Sequence, residues 1–207
     1  SGVLGVIVMN AFNGYGVALP HYNIGDTTRL AKAVEDAGFE YVTLPEVPND
    51  RSAIIRSASI ACNTNKIKMG IGILTPYLRH ISSIAADAMA LDELSKGRFM
   101  LGLGAPIWKM AEYGFTLKVL RPLKTLREAI TILKDLTSGR HSSIKSEFFG
   151  IPYGIQLNVK SYRKEIPMFL GVVNKLLLRL AGEICDQVQL GALTHPSYAR
   201  WAVEQIS

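Results

Sequence analysis

Glu46 stands just after the apolar run Phe39 to Leu44, a place from which a carboxylate can take or orient a proton; an ordinary loop glutamate reads equally well. His21 and His195 also follow apolar runs, while His80 sits beside Arg79 at the start of a helical pattern and His141 stands apart. The four histidines have no metal-ligand spacing with one another or with Cys62 and Cys185, so no metal is expected. Each of them taken singly is more often structural than part of a site. Two apolar runs carry Gly-x-Gly near their ends, Gly70 with Gly72 and Gly102 with Gly104. Missing side chains there would let a flat ligand reach the backbone, and the competing reading is the packing and curvature of a strand. Neither pair is a dinucleotide fingerprint, because the third glycine is lacking and no helix opens directly after the strand. There is no Gly-x-Ser-x-Gly turn and no phosphate loop ending in Gly-Lys-Ser, which sets hydrolase and nucleotide-kinase chemistry aside.

These positions depend on the elements that hold them. From Tyr15 onward, short runs rich in Val, Ile, Leu and Phe alternate with amphipathic segments, the order that builds a parallel sheet covered by helices. Strand Tyr15 to Leu19 precedes a helix with Asp26 as its expected N-cap, an inward face of Leu30, Ala31, Val34 and Ala37, and a stop at Gly38. Phe39 to Leu44 leads to a helix with Ile54, Ile55, Ala58 and Ala61 inward, and Ile67 to Leu74 leads to one with Ile84, Ala88, Leu91 and Leu94 inward. Phe99 to Leu103 is the fourth strand. Its helix, with Leu126, Ala129, Ile130, Leu133 and Leu136 on one face, comes only after a long connection through Pro122, an insertion around residues 105–123. Glu147 to Leu157 predicts extra β structure outside the repeat. Met168 to Val173 with helix Leu176 to Ile184, and Val188 to Leu193 with a helix opened by Pro196, make the fifth and sixth units.

The expectation is an α/β fold, a TIM-type parallel β/α barrel that is incomplete, with six of eight units in residues 15–207. A whole barrel takes roughly 250 residues. Ser1 to Gly14 is a leader or an extra strand. In such a barrel the site lies at the carboxyl ends of the strands. That selects Pro20 and His21, Glu46 and Val47, Gly72 to Thr75, Gly104 to Pro106, Val172 to Lys175, and Ala192 to His195.

The 207 residues are 48% hydrophobic and 19% charged, which suits one globular domain able to bury a core. No apolar run reaches the roughly 20 residues of a membrane span, and no basic start precedes Val3 as a signal peptide requires. A cytoplasmic protein without membrane partners is expected, with Cys62 and Cys185 as buried thiols. The net charge of +6 is spread along the chain rather than gathered in a stripe, so nucleic acid is not an expected partner. An open sheet edge would favour a homo-oligomer.

Several stretches together resemble the luciferase-like family of flavin and deazaflavin oxidoreductases, and within it the methylenetetrahydromethanopterin reductases that use coenzyme F-420. The resemblance runs from about Tyr15 to Ser207 and rests on Ile67 to His80 (IKMGIGILTPYLRH), Ala90 to Gly104 (ALDELSKGRFMLGLG), Arg121 to Leu133 (RPLKTLREAITIL) and Leu180 to Asp186 (LAGEICD). It implies a bulge with a non-prolyl cis peptide in the third strand, at Gly72 and Ile73, against the central ring of the deazaflavin. It implies a contact region at Gly104, Ala105 and Pro106, and a phosphate cradle at Gly171, Val172, Val173, Asn174 and Lys175. Helix-start N–H groups with a nearby lysine suit an anion on physical grounds as well. The implied activity is hydride transfer between reduced coenzyme F-420 and a small or pterin-linked substrate, with Glu46 as the group that handles or orients a proton. The alternatives are an FMN-dependent monooxygenase and a non-catalytic flavin-binding or interaction protein. Val47 stands where the family often has a histidine, and Asn174 with Lys175 where it often has Gly-Pro.

Overall fold

A computed structural model describes residues 14–47, 49–191 and 194–206; the leader expected before Gly14 lies outside them, as do Ala192 and Leu193. Six strands form one sheet in chain order, every neighbouring pair parallel: β1 (Gly16–Ala18), β2 (Tyr41–Leu44), β3 (Lys68–Leu74), β4 (Phe99–Gly104), β5 (Met168–Gly171) and β6 (Gln187–Gln189). The crossovers are α1 (Ile24–Asp36), α2 (Ala53–Asn63), α3 (Ile81–Leu94), then α4 (Ile107–Ala111), α5 (Leu117–Leu120) and α6 (Pro122–Thr137) together, and α7 (Lys175–Ile184), with α8 (Pro196–Ile206) after β6. This is a half-barrel of the TIM type. No helix among the described residues is long and apolar enough to cross a membrane.

Strand alternation divides the core in two. Val42, Leu44, Met69, Ile71, Leu101, Leu103, Met168, Leu170 and Val188 face outward and pack with Ile60, Ile84, Ala88, Ala129, Ile130, Leu133 and Leu178 of the helices. Tyr41, Met100 and Phe169 face inward and pack with one another and with Ile73.

Several local expectations need correction. Asn23, not Asp26, caps α1: its side-chain oxygen accepts from the N–H of Asp26, and its amide donates to the Asp26 carboxylate. That reciprocal pair puts Asp26 in the first turn, where its charge suits the dipole. On α2 the buried face is Ala53, Arg56, Ser57, Ile60 and Ala61, and Ile55 is exposed. Ile54, Ala58 and Ala61 of the expected face do pack in or against the core, and the polar member that apolarity could not place is Arg56, fully buried and donating to the Pro20 carbonyl at 2.7 Å and the Thr27 hydroxyl at 3.3 Å. On α3 the same happens to Leu94, which is exposed while Asp92 turns inward to pair with Arg163 at 2.7 Å. Residues 142–155 form no strand; they double back through two isolated antiparallel bridges, Ser142 with Ile155 and Ser146 with Ile151. Gly150 and Gly154, both with positive φ, turn the chain too sharply for a ladder. β5 stops at Gly171 because the chain turns at Asn174 into α7, and β6 begins at Gln187 and ends at Gln189. Cys62 is exposed on the last turn of α2, and Cys185 is half-buried, its thiol pushed up to about 12 by burial.

Candidate functional site

The carboxyl ends of the six strands are built from the inward-facing residues. Lower in the half-barrel, glycines make room for large side chains: a Cβ at Gly102 would overlap the Phe169 ring and the Ile71 carbonyl, and one at Gly70 would stand 3.3 Å from the Met100 methyl. The packing reading therefore holds for Gly70 and Gly102. One step higher glycines again lie under large side chains, and here the strand itself is irregular. The register between β3 and β4 shifts between Ile71 and Leu74, so Ile73 is carried out of line, and the Gly72–Ile73 peptide is cis, as the resemblance implied. The Ile73 side chain lies over β4 and β5, where a Cβ on either Gly104 or Gly171 would overlap it. Gly104 and Gly171 are themselves partners across β4 and β5. Four of the expected residues, Gly72, Ile73, Gly104 and Gly171, thus meet at one place from three strands.

The other expected residues lie around this point in different settings. Ala105 is partly buried against the small cluster of Tyr77, Met110 and Leu120, and the Pro106 carbonyl accepts from the N–H groups of Lys109 and Met110 to start α4. Val172 is buried and donates its N–H to the Gln189 carbonyl at 3.0 Å. Val173 is exposed and its carbonyl accepts from the Tyr198 hydroxyl. Asn174 caps α7, accepting from the Leu177 N–H at 3.0 Å. That cap leaves the N–H groups of Lys175 and Leu176, with the exposed Lys175 ammonium, as the positive groups at the helix start.

Glu46 is held from one side. Its Oε1 accepts from Arg79 at 2.7 Å, its side chain is only 9% exposed, and its Oε2 is buried with no partner among the described residues. Arg79 belongs to the loop between β3 and α3, which with Phe148 and Phe149 lines an open cleft of about 440 Å³. Tyr77 and Phe148 meet edge to face at 5.3 Å in its wall. A smaller cavity of about 80 Å³, lined by Lys134, Thr137, Arg140, Glu165, Ile166 and Asp186, lies at the amino ends of β5 and β6, away from these groups.

Three of the four histidines have local structural partners. His80 caps α3, its Nδ1 accepting from the Ser82 N–H while Nε2 meets the Phe149 carbonyl at 3.0 Å. His195 does the same at the start of α8 with Ser197, and His21 contacts the Asp50 carboxylate at 2.8 Å. Among the described residues there is no group of three or more His, Cys, Asp or Glu that could hold a metal ion.

One residue of this region was missed. Gln189, the last residue of β6, projects inward so that its Oε1 lies 2.5 Å from where a Cβ of Gly72 would stand. A period-two reading of Gln187, Val188 and Gln189 as inward, outward, inward is the available signal, and a strand expected from Val188 to Leu193 starts one residue late and weights the apolar positions instead.

A parallel half-barrel with a cis bulge on its third strand and glycines at the ends of the next two defines a known class, and the chain belongs to it: the luciferase-like monooxygenase family, whose family model matches residues 4–207. Within that family it is similar to two 5,10-methylenetetrahydromethanopterin reductases. The protein from Methanolobus tindarius is 31% identical over 179 residues, covering 86% of this chain and 53% of that one. The protein from Archaeoglobus fulgidus is 35% identical over 178 residues, covering 84% and 51%. Among solved structures, the coenzyme F420 dependent tetrahydromethanopterin reductase from Methanopyrus kandleri superposes with a TM-score of 0.84 at 26% identity, over 93% of this chain and 59% of that one. The chain thus spans about half the length of the curated relatives it matches.

Proposed function

We propose that this chain provides the cofactor-binding part of an oxidoreductase that moves a hydride between coenzyme F-420 and an electrophilic carbon, in its finer form a one-carbon unit on a pterin carrier. The reading is carried by the meeting of Gly72, Ile73, Gly104 and Gly171 at the carboxyl ends of three strands, in a chain whose relatives are reductases of that kind. The residues present fit such a group: three strand-end glycines gathered around Ile73, a buried carboxylate oxygen with no partner among the described residues, and a helix start with an exposed lysine. When bound, the deazaflavin supplies the hydride chemistry.

The chain's own residues bind and orient. The backbone of Gly72 and Ile73 supports one face of the ring, while Gly104, Ala105 and Pro106 border it. Lys175 and the N–H groups at the start of α7 hold a phosphate, with Gly171 to Asn174 setting the turn. Glu46, fixed through Arg79, accepts a hydrogen bond or a proton at Oε2. FMN shares the ring edge and the phosphate, and membership of a monooxygenase family makes an FMN-dependent monooxygenase the second reading.

Titration of coenzyme F-420 and of FMN into wild type and Lys175→Glu at low salt tests this, followed by fluorescence quenching. Loss of a charge-assisted bond should weaken binding roughly tenfold to a hundredfold. A solvated lysine would change it little, and the helix dipole would even favour Glu for folding. Equal affinity in both proteins removes the phosphate role, and no binding of either cofactor to wild type removes the reading.

A further inference from the structure

We infer that Gln189 is a ring-edge recognition residue, one whose carboxamide pairs with the pyrimidinedione edge that deazaflavins and flavins share. The inference rests on the cofactor reading above and adds a contact to it.

Gln189 ends β6, and its neighbours fix where it points. Val188 packs outward with the helices, so Gln187 and Gln189 face inward, and the pairing of Phe169 with Gln187 and of Gly171 with Gln189 puts them in successive layers. Gln187 is in the lower layer, across from the inward Phe169 ring. Gln189 is in the upper layer, directly against Gly72 of the bulge.

Its Oε1 is buried and has no hydrogen-bond partner among the described residues. An amide oxygen shut away from water without a donor is costly, and native proteins rarely leave one so. Gly72 has no side chain that could contribute one, and a Cβ there would displace the amide. The residue as a whole is half-buried, with its amide nitrogen also on the Gly72 side, 3.5 Å from where a Cβ of that glycine would stand. A carboxamide offers one acceptor beside one donor, and which atom is which is interchangeable by rotation. A pyrimidinedione edge offers the complement, an N–H flanked by carbonyl oxygens. A ring brought onto Gly72 and Ile73 would offer that complement to the amide as it turns from Gly72 toward the ring.

The test uses coenzyme F-420 and FMN, each alongside its derivative methylated at the imide nitrogen, titrated into wild type, Gln189→Leu, Gln189→Glu and Gln187→Leu. In wild type, methylation of the ring N–H should weaken binding by roughly tenfold, the value of one satisfied hydrogen bond in a closed site. Gln189→Leu should bind the parent cofactor about tenfold more weakly and no longer distinguish it from the methylated form. Gln189→Glu, which keeps an acceptor and loses the donor, should weaken the parent yet still discriminate. Gln187→Leu, one layer lower, should match wild type. If the methylation penalty persists in full in Gln189→Leu, or that variant binds like wild type, the inference falls while the cofactor reading stands. If wild type binds neither cofactor, both fall. Should Gln189→Leu not fold, loss of discrimination between parent and methylated ring in wild type itself overturns the contact.

Discussion

Glu46 and Arg79 form a pair in which the carboxylate is far more buried than the cation, 9% against 34% exposed. The two sides of the pair therefore respond differently to substitution. Removing Arg79 strands a buried carboxylate one of whose oxygens already has no partner among the described residues, whereas removing the charge on Glu46 leaves the guanidinium in contact with water. Arg79→Met should destabilise the protein by on the order of 2 kcal/mol, after allowance for the exposure of the arginine. Adding Glu46→Gln to it should restore part of that loss. Chemical denaturation of both single variants and the double checks the coupling, and additive effects would show that the pair carries no shared energy. If Glu46 has the proposed role, Glu46→Gln alone should also reduce turnover while leaving cofactor affinity near wild type.

At the scale of elements, a carboxylate with several backbone partners lies at the opposite end of the strands from the site. Glu35, at the end of α1, accepts from the backbone N–H groups of Asn65, Lys66 and Ile67 and so ties the turn between α2 and β3 to the first helix. Burial works against its ionisation, but the bonds from Ile67, Lys66 and Asn65 outweigh it and hold the carboxyl below its ordinary value of 4.5. A group whose folded value is depressed stabilises the fold above its unfolded value and loses that contribution as the pH falls through the folded one. Stability from Glu35 should thus be fully present above about pH 5 and decline below pH 4.5. Glu35→Gln should cost about 1 to 2 kcal/mol at pH 7 and flatten the acid limb of the stability profile. Thermal unfolding between pH 3 and 7 measures both, and parallel profiles for the two proteins would remove the assignment. Arg98 works beside it, donating to the carbonyls of Ala61, Thr64, Ile67 and Ser95, so two side chains fasten three crossovers at this end.

For the whole molecule, the sheet is open among the described residues: β1 pairs only with β2, and β6 only with β5. Both atoms of the Gln187 amide are buried without a partner there, and the residue is 4% exposed. An open parallel sheet with unpaired backbone groups and an orphaned interior amide is a surface that other strands would complete. The chain alone should therefore self-associate, with a weight-average mass that rises with concentration in sedimentation velocity. A clean monomer at high concentration would show that these edges are covered from within the chain.

The repeat of strands and helices, and with it the half-barrel, was legible because hydrophobic periodicity and the stops at Gly38, Gly97 and Gly139 act locally. Gly72, Ile73, Gly104 and Gly171 were found by their place at strand ends and by resemblance, and the fold brings them together. What local pattern could not supply was the partner of each polar side chain. Arg56 and Asp92 are buried where the Pro20 carbonyl, the Thr27 hydroxyl and Arg163 meet them from distant segments, while Ile55 and Leu94 are exposed. Asn23 took the cap from Asp26 through a reciprocal bond of the same kind. Gln189 reaches Gly72 only because the sheet curls, bringing β6 across from β3 though two strands separate them in the sheet. Burial of apolar groups follows from residue type and period and is written along the chain, whereas satisfaction of a polar group needs a particular atom within hydrogen-bonding distance, which only the closed tertiary geometry determines.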